Sequence, residues 1–236
     1  MSDLSLRQSK ILAAVVKEYC DNGEPVASGD LLAKYDFDVS AATIRNEMQE
    51  LEEKGYLQQP HTSAGRIPSD AGFRFFVNEL MHRTKLSLQE QERLRREVVK
   101  LSAMNIELGK RLAKLMAEVS SNAAFAVLPG ETSASGLSHI LNQNQLPAED
   151  VKEIAEFFDN IDNYADDLIE KYKDSDPTTI IGKEIEIGKS KDYSMIVSGL
   201  QLPSGKKGVV GLIGPKNMKY EKNFSLMEYI SKLIKP

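Results

Sequence analysis

The stretch from Ser40 to Asp70 constrains the fold most, because it brackets one helix closely and follows it with two short extended segments and a loop. Ser40 can accept from the backbone N–H of Thr43, and Gly55 can close the C-terminus in the left-handed conformation, which predicts a helix over 41–54. At 100° per residue Ile44, Met48 and Leu51 share one stripe that must face a core. Ala42, Asn46 and Gln49 fall opposite, with Thr43 and Arg45 on the flanks. After Gly55, residues 56–58 read as a strand and 66–68 as its partner, so 59–65 form a protruding loop. Pro60 stiffens its start, Thr62, Ser63 and Ala64 keep it slim, and Gly65 is expected to permit a tight bend.

The surroundings supply two more helices. Ser5 and Gln8 have capping-box spacing, and the helix they open carries Ile11, Leu12, Val15, Val16 and Tyr19 before stopping at Asn22 and Gly23. A second short helix follows Pro25, with Ser28 as its expected cap and Leu31 and Leu32 as its apolar residues. Residues 35–39 serve as the turn before the third helix. Three helices and a ribbon make a winged helix, closed by a further helix that Ser69 caps and that packs Phe73, Phe76, Val77 and Leu80 back on the domain.

The outward face of the third helix is polar and rich in forked donors. Arg pairs bidentately with guanine, Asn or Gln with adenine, and a Thr methyl packs on thymine, so Ser40, Ala42, Thr43, Arg45, Asn46 and Gln49 are candidates for reading a major groove. On the loop, His61, Thr62, Ser63, Gly65 and Arg66 are the matching candidates, Arg66 as a cation for a minor groove or a phosphate, with Arg74 beside them. An ordinary amphipathic surface helix is the alternative reading of the same spacing.

Past residue 82 the pattern changes. Leu94, Leu101, Leu108 and Leu115 recur every seven residues, as do Val98, Asn105, Leu112 and Val119, in a long helix opened by the capping box of Ser87 and Glu90. A two-stranded dimer contact through Leu94, Val98, Leu101, Asn105, Leu108 and Leu112 is one reading; packing of the stripe on the chain's own sheet is the other, favoured by Gly109, Ser102 and Met104 beside the seam. The remainder reads as α/β: a strand over 123–128, a helix over 151–172, an extended stretch over 179–187, and a hairpin of 193–202 with 208–214 across Pro203, Ser204 and Gly205. A last helix begins at Asn223 or Ser225.

Charge works against nucleic-acid binding: residues 1–82 hold 8 Lys and Arg against 13 Asp and Glu. If Asp36, Asp38, Glu50, Glu52 and Glu53 lie away from the loop and the helix start, Arg7, Lys10, Arg45, Arg66 and Arg74 remain to meet phosphates, and affinity depends on base contacts with a shallow salt dependence. The other classes are poorly served. No nucleophile elbow, zinc motif or phosphate loop is present, Gly208, Gly211 and Gly214 lying inside a strand pattern, so no enzyme, metal or cofactor is expected. His61, His82 and His139 do not cluster with other ligands, and Cys20, alone on a helix, is expected to be a buried thiol. At 41% hydrophobic and 28% charged residues the composition is that of a soluble globular chain, and with no long apolar run and no signal peptide a cytoplasmic location is expected.

The strings EPVASGDLL, SAATIRNEMQELEEKGYLQQPHTSAGRIPSDAGFRFFV and VVGLIGPKNMKY resemble the heat-inducible transcription repressor HrcA family, nearly continuously over residues 4–80. That resemblance implies a repressor of chaperone genes whose N-terminal winged helix binds an inverted-repeat operator of the CIRCE type in double-stranded DNA as a homodimer, with the chaperonin GroEL as a partner and no membrane association. Its usual PVGS and SSATIRN are replaced here by Pro25, Val26, Ala27, Ser28 and by Ser40, Ala41, Ala42, Thr43, Ile44, Arg45, Asn46. The family also implies a GAF-like domain interrupted by a dimerising insertion, and this chain, shorter than typical members, is expected to lack that middle section while 138–235 resemble the last part of the pattern. The expected fold is therefore α+β: a winged helix-turn-helix over 1–82, then a long connecting helix and a reduced GAF-like α/β domain over 83–236. A small-ligand-responsive winged-helix regulator with a GAF-like sensor domain is the alternative.

Overall fold

A computed structural model describes residues 4–62, 64–104, 107–143, 146–186 and 192–234, with the side chains of 99–104 and 143 outside that description. The chain divides into two compact units, Met1–His82 and Arg83–Pro236.

In the first unit α1 (Leu6–Asn22), α2 (Ser28–Lys34) and α3 (Ala41–Glu53) precede a two-residue antiparallel ribbon of β1 (Leu57–Gln58) and β2 (Ile67–Pro68). Local chemistry fixes most of these ends. Ser5 accepts from Gln8 N and the Gln8 side chain accepts from Ser5 N, and α1 stops where Gly23 turns left-handed at φ 72°. The α2 cap is Ala27 rather than Ser28, because the Asp30 carboxylate reaches back to the Ala27 N–H at 3.2 Å. Ser69 caps α4 (Asp70–Phe75), which runs on into a π-helical turn at Phe76–Leu80. Ile11, Leu12, Val15 and Val16 of α1 are buried with Leu31, Ile44, Met48, Leu51, Phe73 and Phe76, whereas Leu32 is exposed. Cys20 is half-buried, not the fully buried thiol expected, because it sits on the rim of the α1 core stripe.

The second unit is α+β, and every pairing in its sheet is antiparallel, so the expected α/β arrangement does not form. The strand order is β4-β3-β7-β6-β5, from β3 (Ala123–Leu128), β4 (Glu131–Ser135), β5 (Thr178–Ile181), β6 (Tyr193–Gln201) and β7 (Lys207–Pro215). On one face lie α7 (Leu137–Gln143), α8 (Ala148–Asp159) and α9 (Ile161–Tyr172), whose Ile154, Phe157, Ile161 and Leu168 meet Phe125, Val127, Met195 and Val197. On the other lie α6 (Leu108–Ser120) and α10 (Tyr220–Ile234), with α5 (Leu88–Met104) packed against those two helices.

Three expectations change here. The long connecting helix is two helices: Arg93 of α5 pairs with Glu118 of α6, a meeting that requires the chain to fold back, and Glu107 takes φ 56° as α6 begins. The Leu94 seam is consequently internal. Leu94, Val98 and Leu112 are at most 1% exposed within one copy of the chain and Leu108 is half-buried, so these side chains are already covered by the chain's own helices and sheet. Leu101 lies on α5 with its side chain outside the description, and Asn105 falls outside the described residues. Gly109 is where Glu131 of β4 lies against α6, its carboxylate accepting from Lys110 N at 3.0 Å. Second, the expected 151–172 helix breaks at Asn160 into α8 and α9. Third, α10 begins at Tyr220, ahead of the expected start, where the buried Tyr220 hydroxyl ties Ser194 and Lys216 O together. Gly211 lies under the Phe125 ring, where a Cβ would come within 2.2 Å of Phe125 Cζ.

Candidate nucleic-acid interface

The third helix presents two different faces. Ile44, Met48 and Leu51 are buried, and Ala42, Arg45, Asn46 and Gln49 are exposed. Ser40 Oγ accepts from Thr43 N at 3.2 Å and lies 3.0 Å from Thr43 Oγ1, so both hydroxyls are engaged with each other at the helix start. Gln49 Nε2 donates to Glu53 Oε1 at 3.1 Å. Arg45 has no hydrogen-bond or ion-pair partner among the described residues.

The loop after β1 is braced from within. Gln59 Nε2 donates to Thr62 O at 3.1 Å and to Ala64 O at 2.9 Å, leaving His61 and Thr62 exposed at the tip; Ser63 lies outside the described residues. No sequence signal marked Gln59, because its acceptors are backbone atoms whose position depends on the loop conformation. Gly65 acts differently from expectation. It has no positive φ, and instead a Cβ there would come within 2.3 Å of Val26 O. The missing side chain lets Arg66 pair with Val26 through two backbone hydrogen bonds of 2.9 Å, which tie the base of the loop to the start of α2.

Charges in this unit are drawn into pairs. Arg66 Nε lies 2.8 Å from Glu52 Oε2, with the two side chains 18% and 32% exposed. The expectation that Glu52 points away from the loop is therefore corrected: the last turn of α3 passes beside the base of the ribbon. Arg7 Nε meets the buried Glu47 Oε1 at 2.5 Å, which removes Arg7 from the cations expected to meet phosphates. Lys34 pairs with Glu18, and the hydrogen bond its ammonium donates to that carboxylate holds it above the usual lysine range. Arg74 is half-buried and is itself engaged in an interaction. Arg45 is thus an outward cation on the polar face itself, bordering a 280 Å³ cleft whose other walls come from Ser28 on α2 and from Gln59, Thr62 and Arg66 on the ribbon.

Arg45 and the braced loop thus face one concave, polar surface. Comparisons with known proteins place the chain. The profile of the HrcA protein C terminal domain matches residues 71–223. This chain belongs to the HrcA family. A protein of Natranaerobius thermophilus named heat-inducible transcription repressor HrcA is 44% identical over 138 residues, 58% of this chain and 40% of that protein. One of the same name from Moorella thermoacetica is 46% identical over 132 residues, 55% of this chain and 38% of its own length. The matched region thus spans about two-fifths of these HrcA relatives. A solved structure described as a hypothetical protein covers 98% of this chain and 96% of its own at TM-score 0.73 and 21% identity, a likeness of fold alone. Among the described residues no helix is long and apolar enough to cross a membrane.

Proposed function

We propose that this HrcA-family chain is a sequence-specific DNA-binding repressor of heat-shock genes, its first unit a winged helix-turn-helix and its second a reduced GAF-like domain. The observation that carries the reading is the polar, uncovered face of α3, with Ala42, Arg45, Asn46 and Gln49 beside a braced loop that shares its cleft. An α-helix of this kind fits a major groove, and a loop standing beside it reaches the adjoining groove or backbone. Ser40 and Thr43 set the helix start, and His61 and Thr62 offer donors at the loop tip.

The operator is an inverted repeat occupied by two copies, and the family resemblance adds the chaperonin GroEL as a partner. The copies do not meet through Leu94, Val98 and Leu112, which one copy already buries. Pairing of Arg7 and Arg66 with carboxylates leaves few cations for phosphates, so duplex affinity falls only shallowly with salt. Binding-site selection with the purified chain tests the reading. Recovery of a two-half-site sequence supports it, and indifference to all duplexes at low ionic strength overturns it.

The ligand-sensor reading has one specific observation, a 200 Å³ concavity in the second unit bounded by Tyr164, Leu168, Tyr172, Ile180 and Met195. That is below the ~300–1,000 Å³ of pockets that enclose drug-sized ligands, which ranks it second. Thermal stabilisation by a small ligand would reverse the order.

A further inference from the structure

The arginine at the base of the loop is committed before any duplex arrives. Its backbone exchanges two hydrogen bonds of 2.9 Å with Val26, and its Nε lies 2.8 Å from Glu52 Oε2, a charge contact in which the buried Nε–H is not aligned as a hydrogen bond. Both side chains are largely withdrawn from solvent, at 18% and 32% exposed, so this pair is less screened than an ordinary surface pair. Glu52 is carried by α3 two turns after Arg45 on the same flank of the helix, so one element supplies both the polar surface and the carboxylate that neutralises the neighbouring cation. An arginine free at this place would add a sequence-independent phosphate contact, raising affinity for every duplex and eroding the advantage of the right one.

We propose that Glu52 is a specificity-determining residue of this interface: by occupying Arg66 it withholds a cation from the phosphate backbone and leaves discrimination to the outward face of α3. This rests on the DNA-binding reading and goes beyond it by assigning an acidic residue a part in choosing the duplex. Glu52 acts through Arg66 and touches no base.

The test measures binding of the full-length chain, its Glu52→Gln variant and the Glu52→Gln, Arg66→Gln double variant to a selected-site duplex and to a scrambled duplex across a salt series. The Arg66 Nε–H resonance is recorded in the free proteins. Glu52→Gln is expected to bind the scrambled duplex several-fold tighter and to lower the selected-to-scrambled ratio. Its plot of log affinity against log salt is expected to steepen by about one contact per bound copy. The double variant is expected to return to the wild-type slope, and the resonance to move in Glu52→Gln without DNA. A wild-type slope in Glu52→Gln, or a steep slope kept by the double variant, overturns the proposal while duplex binding by the unsubstituted chain still stands. Failure of the unsubstituted chain to bind any duplex removes the DNA-binding reading and this inference with it.

Discussion

The two units treat their polar surfaces in opposite ways. In Arg83–Pro236 the sheet is covered on both faces, and even its hydroxyls are paired in the interior, Ser194 with Tyr220 and Ser198 with Ser231. In Met1–His82 the carboxylates near α3 are tied to cations, Glu47 to Arg7 and Glu52 to Arg66, while Ala42, Arg45 and Asn46 stay outside the packing. Side chains that stabilise nothing within their own unit, held on a helix that is itself well anchored, are free to serve a partner. Substitutions in the second unit should therefore change stability, and those on the outer face of α3 should change binding alone.

The largest expected effect tests the covered unit. Phe125 is fully buried between Phe157, ring centroids 5.5 Å apart at 83°, and Gly211. Phe125→Ala is expected to cost about 3–5 kcal/mol. Hydrogen exchange should speed up in the amides of β3, β6 and β7 while protection in α1 and α3 holds; equal loss in both units would break the comparison. Next is Gly65→Ala, where the added Cβ meets the Val26 carbonyl oxygen at 2.3 Å, a backbone atom that yields only if the loop base moves. A loss of roughly 1–3 kcal/mol is expected, typical of overpacking, with weakened duplex binding alongside. Gly29→Ala is the control: nothing lies within 4 Å of its Cβ, and a gain of roughly 0.4–1 kcal/mol in a denaturation midpoint series is expected.

Such effects explain which parts of the molecule were legible in the sequence. Helix ends set by neighbours three or four residues away were readable: the Ser5 and Gln8 box, the Ser40 cap, Gly55 at φ 81°, and the Ser69 cap all sit where spacing puts them. Heptad spacing in Leu94 to Val119 reported that a face is buried but carried no information on what covers it, and the fold-back places the chain's own sheet and α10 there. The β4 strand was missed because Glu131–Ser135 has no apolar alternation, being half-buried along its whole length. Within the candidate interface the exposed residues of α3 follow from helical period alone. The engagement of Arg66 with Glu52 and of Gly65 with Val26 depends on how the ribbon crosses two helices, which local spacing does not encode.

On the outer face of α3 the effect should appear in binding only. Arg45→Ala removes an exposed side chain without a partner among the described residues, so stability should stay within about 0.5 kcal/mol. If Arg45 pairs bidentately with a base, specific binding falls by about 1–3 kcal/mol, read as a loss on the selected duplex that exceeds the loss on a scrambled one. An equal loss on both would make Arg45 a phosphate contact and blunt the contrast between the two units.

The smallest expected effect is a pH dependence confined to the second unit. Glu90 opens α5 through Ser87 and lies 2.8 Å from Lys222 of α10. The Lys222 ammonium first, and the Ser87 hydroxyl second, hold its carboxyl at about 2, below the usual 4.5. A carboxylate depressed in the folded state stabilises that state above its unfolded value, and the contribution fades as pH falls from about 4.5 toward about 2. Both side chains reach solvent, at 28% and 39% exposed, so screening keeps the contribution small and salt-sensitive. The melting temperature of Glu90→Gln should therefore lie slightly below that of the unsubstituted chain at pH 7, and the gap should close as pH drops through that window. A gap that persists unchanged to pH 2 would mean that Glu90 acts through its cap to Ser87 N, a hydrogen bond glutamine retains in part, and not through its charge toward α10.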